Sequence, residues 1–414
     1  MQNFNYNIPT KIFFWKWQIK NLASQIKPFW NKVLLVYGKW SIKKSWLYDE
    51  VVQILKKNQI KIFELGNVEP NPDIKSVREG VKICKENQIN FILAVGGWSV
   101  IDCWKAVALA TYYDGDARDI FQGKWKCKKS IPIWTILTLS ATGSEMNPYT
   151  VISNREISEK CDFGHISLYP KFSILDPQYT FSVDKHQTIA WIVDTMSHVL
   201  EQYFSTEECF INYRISEAIL KTCIHYWPIA LKEPENYEAR AELMWASSLA
   251  LNGMIGYWKT NDWATHHIEH QVSAIYNIAH GDWLAVLFPN WMKYVLDKNS
   301  KNNFILNKFC DFTTNVWDIP NNGSLFDKVD KEFPVCGTAK LFVEKQENLK
   351  LANLWIEKLR EFWDSIWAPN KLSDLWIDEK NIEKMAEMST KDWEIGNFMK
   401  LGKKDVLEIL YMSL

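Results

Sequence analysis

At 414 residues the chain is long enough for two domains, each with its own core. Its 48 Lys and Arg balance 49 Asp and Glu, and the net charge of −1 gives no electrostatic case for nucleic acid or an anionic membrane surface as a partner. No apolar run approaches membrane-spanning length, so no membrane partner is expected, and MQNFNYNIPTKIFF lacks the basic and apolar stretches of a signal peptide. Eight scattered cysteines with no CxxC pair predict reduced thiols in a cytoplasmic protein.

Along the first 180 residues, short β-branched runs alternate with amphipathic stretches, the pattern of an α/β layer fold. The strands expected are 32–38 (KVLLVYG), 61–65, 90–97 (NFILAVGG), 131–139 and 172–177. Between them, WLYDEVVQILKKN and DIKSVREGVKICKEN place apolar residues at helical spacing with charges opposite. After Asp176-Pro177 the texture changes to helical pattern through to the C-terminus. The boundary is expected near residue 180, giving an α/β domain over 1–180 and an all-helical domain over 181–414.

The segment 90–110, NFILAVGGWSVIDCWKAVALA, reads as a buried strand, a glycine turn and a helix. Backbone N–H groups at such a helix N-terminus bind a pyrophosphate, and glycine is needed because the chain must approach it closely. Trp98, third in the turn, contradicts that logic, and Trp104 would push the helix away from the sheet. The conflict recurs in VYGKWSIKKSW (36–46), at Trp15 and Trp17 where the chain should reverse, and at Trp367 and Trp376 where helices should end. The chain has 22 Trp and only 16 Gly, about 4% Gly against about 7% in ordinary globular chains. A source that decodes UGA as glycine, translated with a table that makes it tryptophan, produces this pattern. The positions assigned to glycine on this basis are Trp15, Trp17, Trp30, Trp40, Trp46, Trp98, Trp104, Trp125, Trp134, Trp191, Trp227, Trp258, Trp283, Trp355, Trp367, Trp376 and Trp393. Trp245, Trp263, Trp291 and Trp317 read as genuine tryptophans, and Trp363 fits either set.

In the second half, IVDTMSHVLEQYF carries Asp194 and His198 four residues apart, on one face of a helix. DWATHHIEHQVSAIYNIAH carries His266, His270 one turn later, and His280. One carboxylate with three imidazoles suits Fe²⁺ or Zn²⁺ and leaves coordination positions open for a substrate oxygen.

With the turn tryptophans read as glycine, AVGGWSVIDCWKAVA resembles the GGGSxxDxxKxxA segment of the iron-containing alcohol dehydrogenases. SATGSEMNPYTVIS resembles that family's second signature, and the two histidine segments resemble its metal-binding segments. The similarity runs from about Pro9 to the C-terminal helices. It leans toward the butanol dehydrogenase and broad aldehyde reductase branch, through YGKWSIKKSWLYDEV and DWATHHIEH. The resemblance implies a Rossmann-like dinucleotide-binding domain, a helical metal-binding domain of dehydroquinate synthase type, and a cleft between them. It implies Asp194, His198, His266 and His280 as metal ligands, and His270 near the nicotinamide as a proton relay. For the dinucleotide it implies Gly96, Gly97, Trp98 and Ser99 at the pyrophosphate, Asp102 beside them, hydroxyls from Thr138 and Thr142, and Lys160 at the ribose. A homodimer is expected from the family alone.

After the first of the expected strands comes Gly38-Lys39-Trp40-Ser41, with no carboxylate to hold a ribose 2′-hydroxyl, so NADP(H) is favoured over NAD(H). The activity implied is metal-dependent interconversion of a small primary alcohol and its aldehyde, such as butanol and butanal. Two alternatives stay open: a polyol dehydrogenase or lyase of the same superfamily, and a non-catalytic chain should Trp98 be genuine.

Overall fold

The computed structural model describes residues 2–26, 31–39, 41–44, 46–124, 129–276, 278–319, 337–391 and 393–414. Trp30, Trp40 and Trp125, and the side chain of Ser41, lie outside the described residues. Six strands form one parallel sheet: β1 (Lys11–Phe14), β2 (Lys32–Gly38), β3 (Lys61–Val68), β4 (Phe91–Gly97), β5 (Ile133–Leu139) and β8 (Phe172–Leu175). Their order is β1-β8-β5-β4-β2-β3. Between β5 and β8 an antiparallel hairpin intervenes, β6 (Tyr149–Asn154) with β7 (Glu159–Gly164).

The strands alternate sides as their period of two requires. Leu34, Val36, Ile92 and Ala94 join one buried cluster, and Val33, Leu35, Phe91, Leu93 and Val95 join another. Helices cover both faces, among them α1 (Trp46–Lys57), α2 (Ile74–Asn87) and α3 (Trp98–Ala110). Asp73 caps α2 by accepting the N–H of Lys75 at 2.9 Å. Moving along the sheet from β2, the chain reaches β3 on one side and β4 on the other. The carboxyl ends of β2 and β4, Gly38 and Gly97, therefore flank a topological switch point, the place where open α/β sheets bind ligands.

From residue 185 onward the named elements are helical: α4 (Lys185–Tyr203), α5 (Phe210–Lys232), α6 (Tyr237–Ala250), α7 (Ala264–Ile275), α8 (His280–Lys298), α9 (Asn303–Trp317) and α10 (Gly337–Ser365), with shorter helices after them. Asp184 caps α4, accepting the N–H of Gln187 at 2.8 Å. The larger apolar cluster is shared by α3, one face of the sheet and these helices, which leaves a cavity where α4 and α7 face the hairpin. No helix of the described residues is long and apolar enough to cross a membrane.

Candidate active site

Three helices deliver the four expected metal ligands. Asp194 and His198 lie one turn apart on α4, His266 in the first turn of α7, and His280 at the first residue of α8. One ligand-type atom from each of the four lies within 4.8 Å of the others. Asp194 Oδ1 is 3.5 Å from His198 Nδ1 and 3.5 Å from His280 Nε2. The His198 and His266 rings stack with centroids 4.8 Å apart. Gly281 makes this convergence possible: a Cβ built there would stand 2.1 Å from the carbonyl oxygen of Ala190, so only glycine lets α8 meet α4 one turn before Asp194.

The chemistry of the pocket fits a cation. Asp194 Oδ1, His198 Nδ1 and His266 Nε2 are buried and have no hydrogen-bond partner, an arrangement that costs roughly 1–3 kcal/mol per neutral group unless something occupies the centre. Burial pushes the His198 imidazole down to about 3 and holds His266 well below its ordinary value, so both rings are neutral and have a lone pair to donate.

Two buried carboxylates stand behind the ligands. Glu201, one turn past His198 on α4, accepts from His266 Nδ1 at 3.0 Å, the His266 backbone N–H at 3.1 Å and the Thr265 hydroxyl at 2.5 Å. That fixes the His266 ring with Nε2 facing the ligand cluster, as a carboxylate behind a metal-binding histidine does. Glu269 lies on α7 beside His280 and Lys160. Burial works against its charge, and His280 and Lys160 outweigh that and hold it well below the usual carboxylate range. Sequence reasoning missed both, although their spacing was a signal: Glu201 follows His198 by three residues and Glu269 follows His266 by three, the helical neighbours of a ligand.

The cavity holding these groups has a volume of about 410 Å³ and runs from the ligand cluster to Trp98 at the start of α3. His270 lines it, its ring centroid 6.1 Å from that of His280. Thr142 lines it too, with a buried hydroxyl that has no partner. Asp102 borders it, but its carboxylate is engaged by protein, accepting from the Ser144 hydroxyl at 2.6 Å and the Val151 N–H at 2.9 Å. Lys160, from β7, is buried with both Glu269 oxygens 3.2 Å from its Nζ. Gly96 and Gly97 close β4 at the switch point, and a Cβ on Gly96 would strike Val100 at 2.6 Å. Ser99 follows in the first turn of α3, half-buried. Thr138 is half-buried near the end of β5 and is not among the cavity-lining residues. Gly38 ends β2, and Lys39 beside it pairs with Glu69 at 3.0 Å on the surface.

Residues 9–177 match the protein-family model for iron-containing alcohol dehydrogenase, and residues 188–414 match that of the C-terminal part of the same family. The chain is 44% identical to NADH-dependent butanol dehydrogenase A of Clostridium acetobutylicum over 416 residues, covering 100% of both. It is 36% identical to the NADPH-dependent aldehyde reductase YqhD of Escherichia coli, covering 92% of this chain and 91% of that one. Among solved structures, NADH-dependent butanol dehydrogenase A of Thermotoga maritima superposes with a TM-score of 0.89 at 36% identity, over 100% of this chain and 99% of that one. The chain belongs to the iron-containing alcohol dehydrogenase family, in its butanol dehydrogenase branch.

Proposed function

We propose that this chain reduces small aldehydes such as butanal to primary alcohols, and runs the reverse oxidation, with NADP(H) preferred over NAD(H) and with a divalent cation held by Asp194, His198, His266 and His280. The observation that carries this reading is the convergence of four ligand-type atoms, three of them buried without partners, on one wall of the cavity. When bound, the cation supplies Lewis acidity at the substrate oxygen and the nicotinamide supplies or takes the hydride. Three nitrogens and one oxygen suit Fe²⁺ and Zn²⁺ alike. Thr142 offers the dinucleotide a hydroxyl with no other partner, Lys160 reaches toward its ribose, and His270 passes the alcohol proton toward solvent. Gly96, Gly97 and Ser99 present the α3 N-terminus to the pyrophosphate, and Asp102 holds that turn to the hairpin through Ser144 and Val151. Tyr149, Tyr169 and Tyr257 line the cavity with aromatic surface, which favours an alkyl aldehyde over a polyol. We place the division between dinucleotide and metal domains near residue 180, in a cytoplasmic homodimer.

This reading includes glycine at the seventeen tryptophan positions named above. Trp15, Trp17, Trp258, Trp367 and Trp376 have φ between 54° and 110°, a left-handed backbone that costs a non-glycine residue roughly 1–2 kcal/mol. Trp104, Trp227, Trp283 and Trp355 bury an indole N–H without a hydrogen bond, at about 1–3 kcal/mol each. Over nine positions these penalties reach the order of 10 kcal/mol, the size of a domain's whole stability. Trp263, read as genuine, also has φ 65°, and Trp291 and Trp317 also bury unbonded indoles, so each position is decided by direct measurement.

The test is made on protein purified from its native host. Peptide mass spectrometry across residues 86–105 reads positions 98 and 104, elemental analysis reads the cation, and NADPH oxidation with butanal reads the activity. Glycine at 98 with metal-dependent butanal reduction is expected. Tryptophan at 98 with no dinucleotide binding would leave the dehydrogenase reading only as ancestry.

A further inference from the structure

We propose that Glu269 is a positioning residue that joins the metal ligand His280 to the dinucleotide-side Lys160, so that cation and dinucleotide binding are coupled through one carboxylate. This rests on the roles proposed above for His280 and Lys160. Glu269 is fully buried on α7, and Lys160 comes from β7 of the hairpin in the other half of the chain. The Lys160 Nζ lies 3.2 Å from both Glu269 oxygens, and the Ser273 hydroxyl donates to Oε1. Oε2 stands 2.6 Å from His280 Nδ1, an ion-pair contact. The opposite ring nitrogen, Nε2, faces Asp194 at 3.5 Å. Glu269 thus decides which edge of the His280 ring is turned to the ligand cluster.

A buried carboxylate persists only where partners repay its desolvation, and here three cationic or proton-bearing neighbours, Lys160, Ser273 and His280, share its two oxygens. What Lys160 gives to a ribose hydroxyl it withdraws from Glu269, and the carboxylate then acts more strongly on His280, holding its ring more firmly with Nε2 toward the ligand cluster. Each ligand therefore tightens the other, and by linkage the factor is the same in both directions.

The measurement is zinc affinity of the full chain, with residue 98 as found in the native protein, by competition with a chromophoric chelator, with and without saturating NADPH. For the unaltered chain, NADPH should tighten zinc about fivefold or more. E269Q should bind zinc about 10- to 100-fold more weakly, with the NADPH effect reduced to none, and E269D should recover part of both. Unchanged zinc affinity in E269Q, or an NADPH effect equal to that of the unaltered chain, overturns the proposal. Should E269Q fail to fold by circular dichroism, K160Q takes its place: with Lys160 no longer drawing on Glu269, it should bind zinc without NADPH about as tightly as the unaltered chain does with NADPH, and NADPH should add nothing further. Zinc affinity equal to that of the unaltered chain without NADPH, or a retained NADPH effect, overturns the coupling. H280A separates the two readings. Zinc weakened by H280A but untouched by E269Q leaves the metal site standing and removes Glu269 from it, whereas no zinc binding by the unaltered chain removes the metal site itself.

Discussion

The proposed metal centre and the proposed dinucleotide turn share one cavity and are built by opposite means. At the first, side chains do the work: four ligand-type residues from three helices, each ring of His266 and His280 backed by a buried glutamate, already converge. At the turn, the absence of side chains is what matters, because a pyrophosphate bound there would need the end of β4 and the start of α3 to present open backbone N–H groups. A site made of side chains announces itself in residue types. One made of bare backbone is legible only through glycine, and a single indole at Trp98 obscures it.

The sharpest way to break this contrast is at the metal. D194A or H266A should remove the bound cation and lower kcat/KM for butanal by at least about a thousandfold, since Lewis acidity contributes several kcal/mol. Elemental analysis with steady-state kinetics checks it, and full activity in a metal-free variant would end the reading. At the turn, a W98G chain should bind NADPH about 100-fold more tightly than one carrying tryptophan, as fluorescence titration would read, because the indole lines the cavity where the pyrophosphate belongs. Equal affinities would mean that the turn does not hold the dinucleotide.

Smaller effects sharpen the comparison. Lys39 pairs with Glu69, which also holds Arg155 at 2.6 Å, and a 2′-phosphate would compete with Glu69 for Lys39. K39E should shift the ratio of kcat/KM for NADPH over NADH by about tenfold toward NADH, the worth of one charge-assisted hydrogen bond. The smallest effect concerns the loop before α7. Lys259 donates to the carbonyl of Gln202 on the ligand-bearing α4, and burial pushes its ammonium down to about 7. Between pH 7 and its ordinary value the unfolded chain binds more protons than the folded one, so stability rises with pH across that window and is lost as pH falls through 7. K259M should flatten the climb in urea midpoints between pH 7 and pH 9, and a climb of equal steepness in the variant would assign it elsewhere.

Much of this was legible in the sequence. Asp194 and His198 share a face as their spacing implied, because i and i+4 on a helix do so whatever the surrounding fold, and His266 and His280 converge on them as the family resemblance implied. Five sheet strands fall where β-branched runs predicted them. β1 was not foreseen: Lys11–Phe14 is only four residues long, and it becomes a strand by pairing with β8, more than 150 residues away. The β6–β7 hairpin was hidden for a related reason. YTVISN reads as part of a signature, and EKCDFG has no apolar alternation of its own, so the pairing is set by partners and by the seat it provides for Lys160. Glu201 and Glu269 were passed over because a glutamate in a helix is ordinarily a solvated face, and only burial distinguishes them.

The contact between Gly281 and Ala190 has a consequence for how such an enzyme diversifies. Backbone touches backbone there, so the spacing between the helices bearing Asp194 and His280 is gauged by van der Waals radii rather than by any rotamer. Neighbouring core side chains can be exchanged without altering that gauge. The spacing of the proposed ligands is thereby insulated from drift in the cavity walls, and exchange of Tyr149, Tyr169 or Tyr257, which line the cavity, would leave it unmoved.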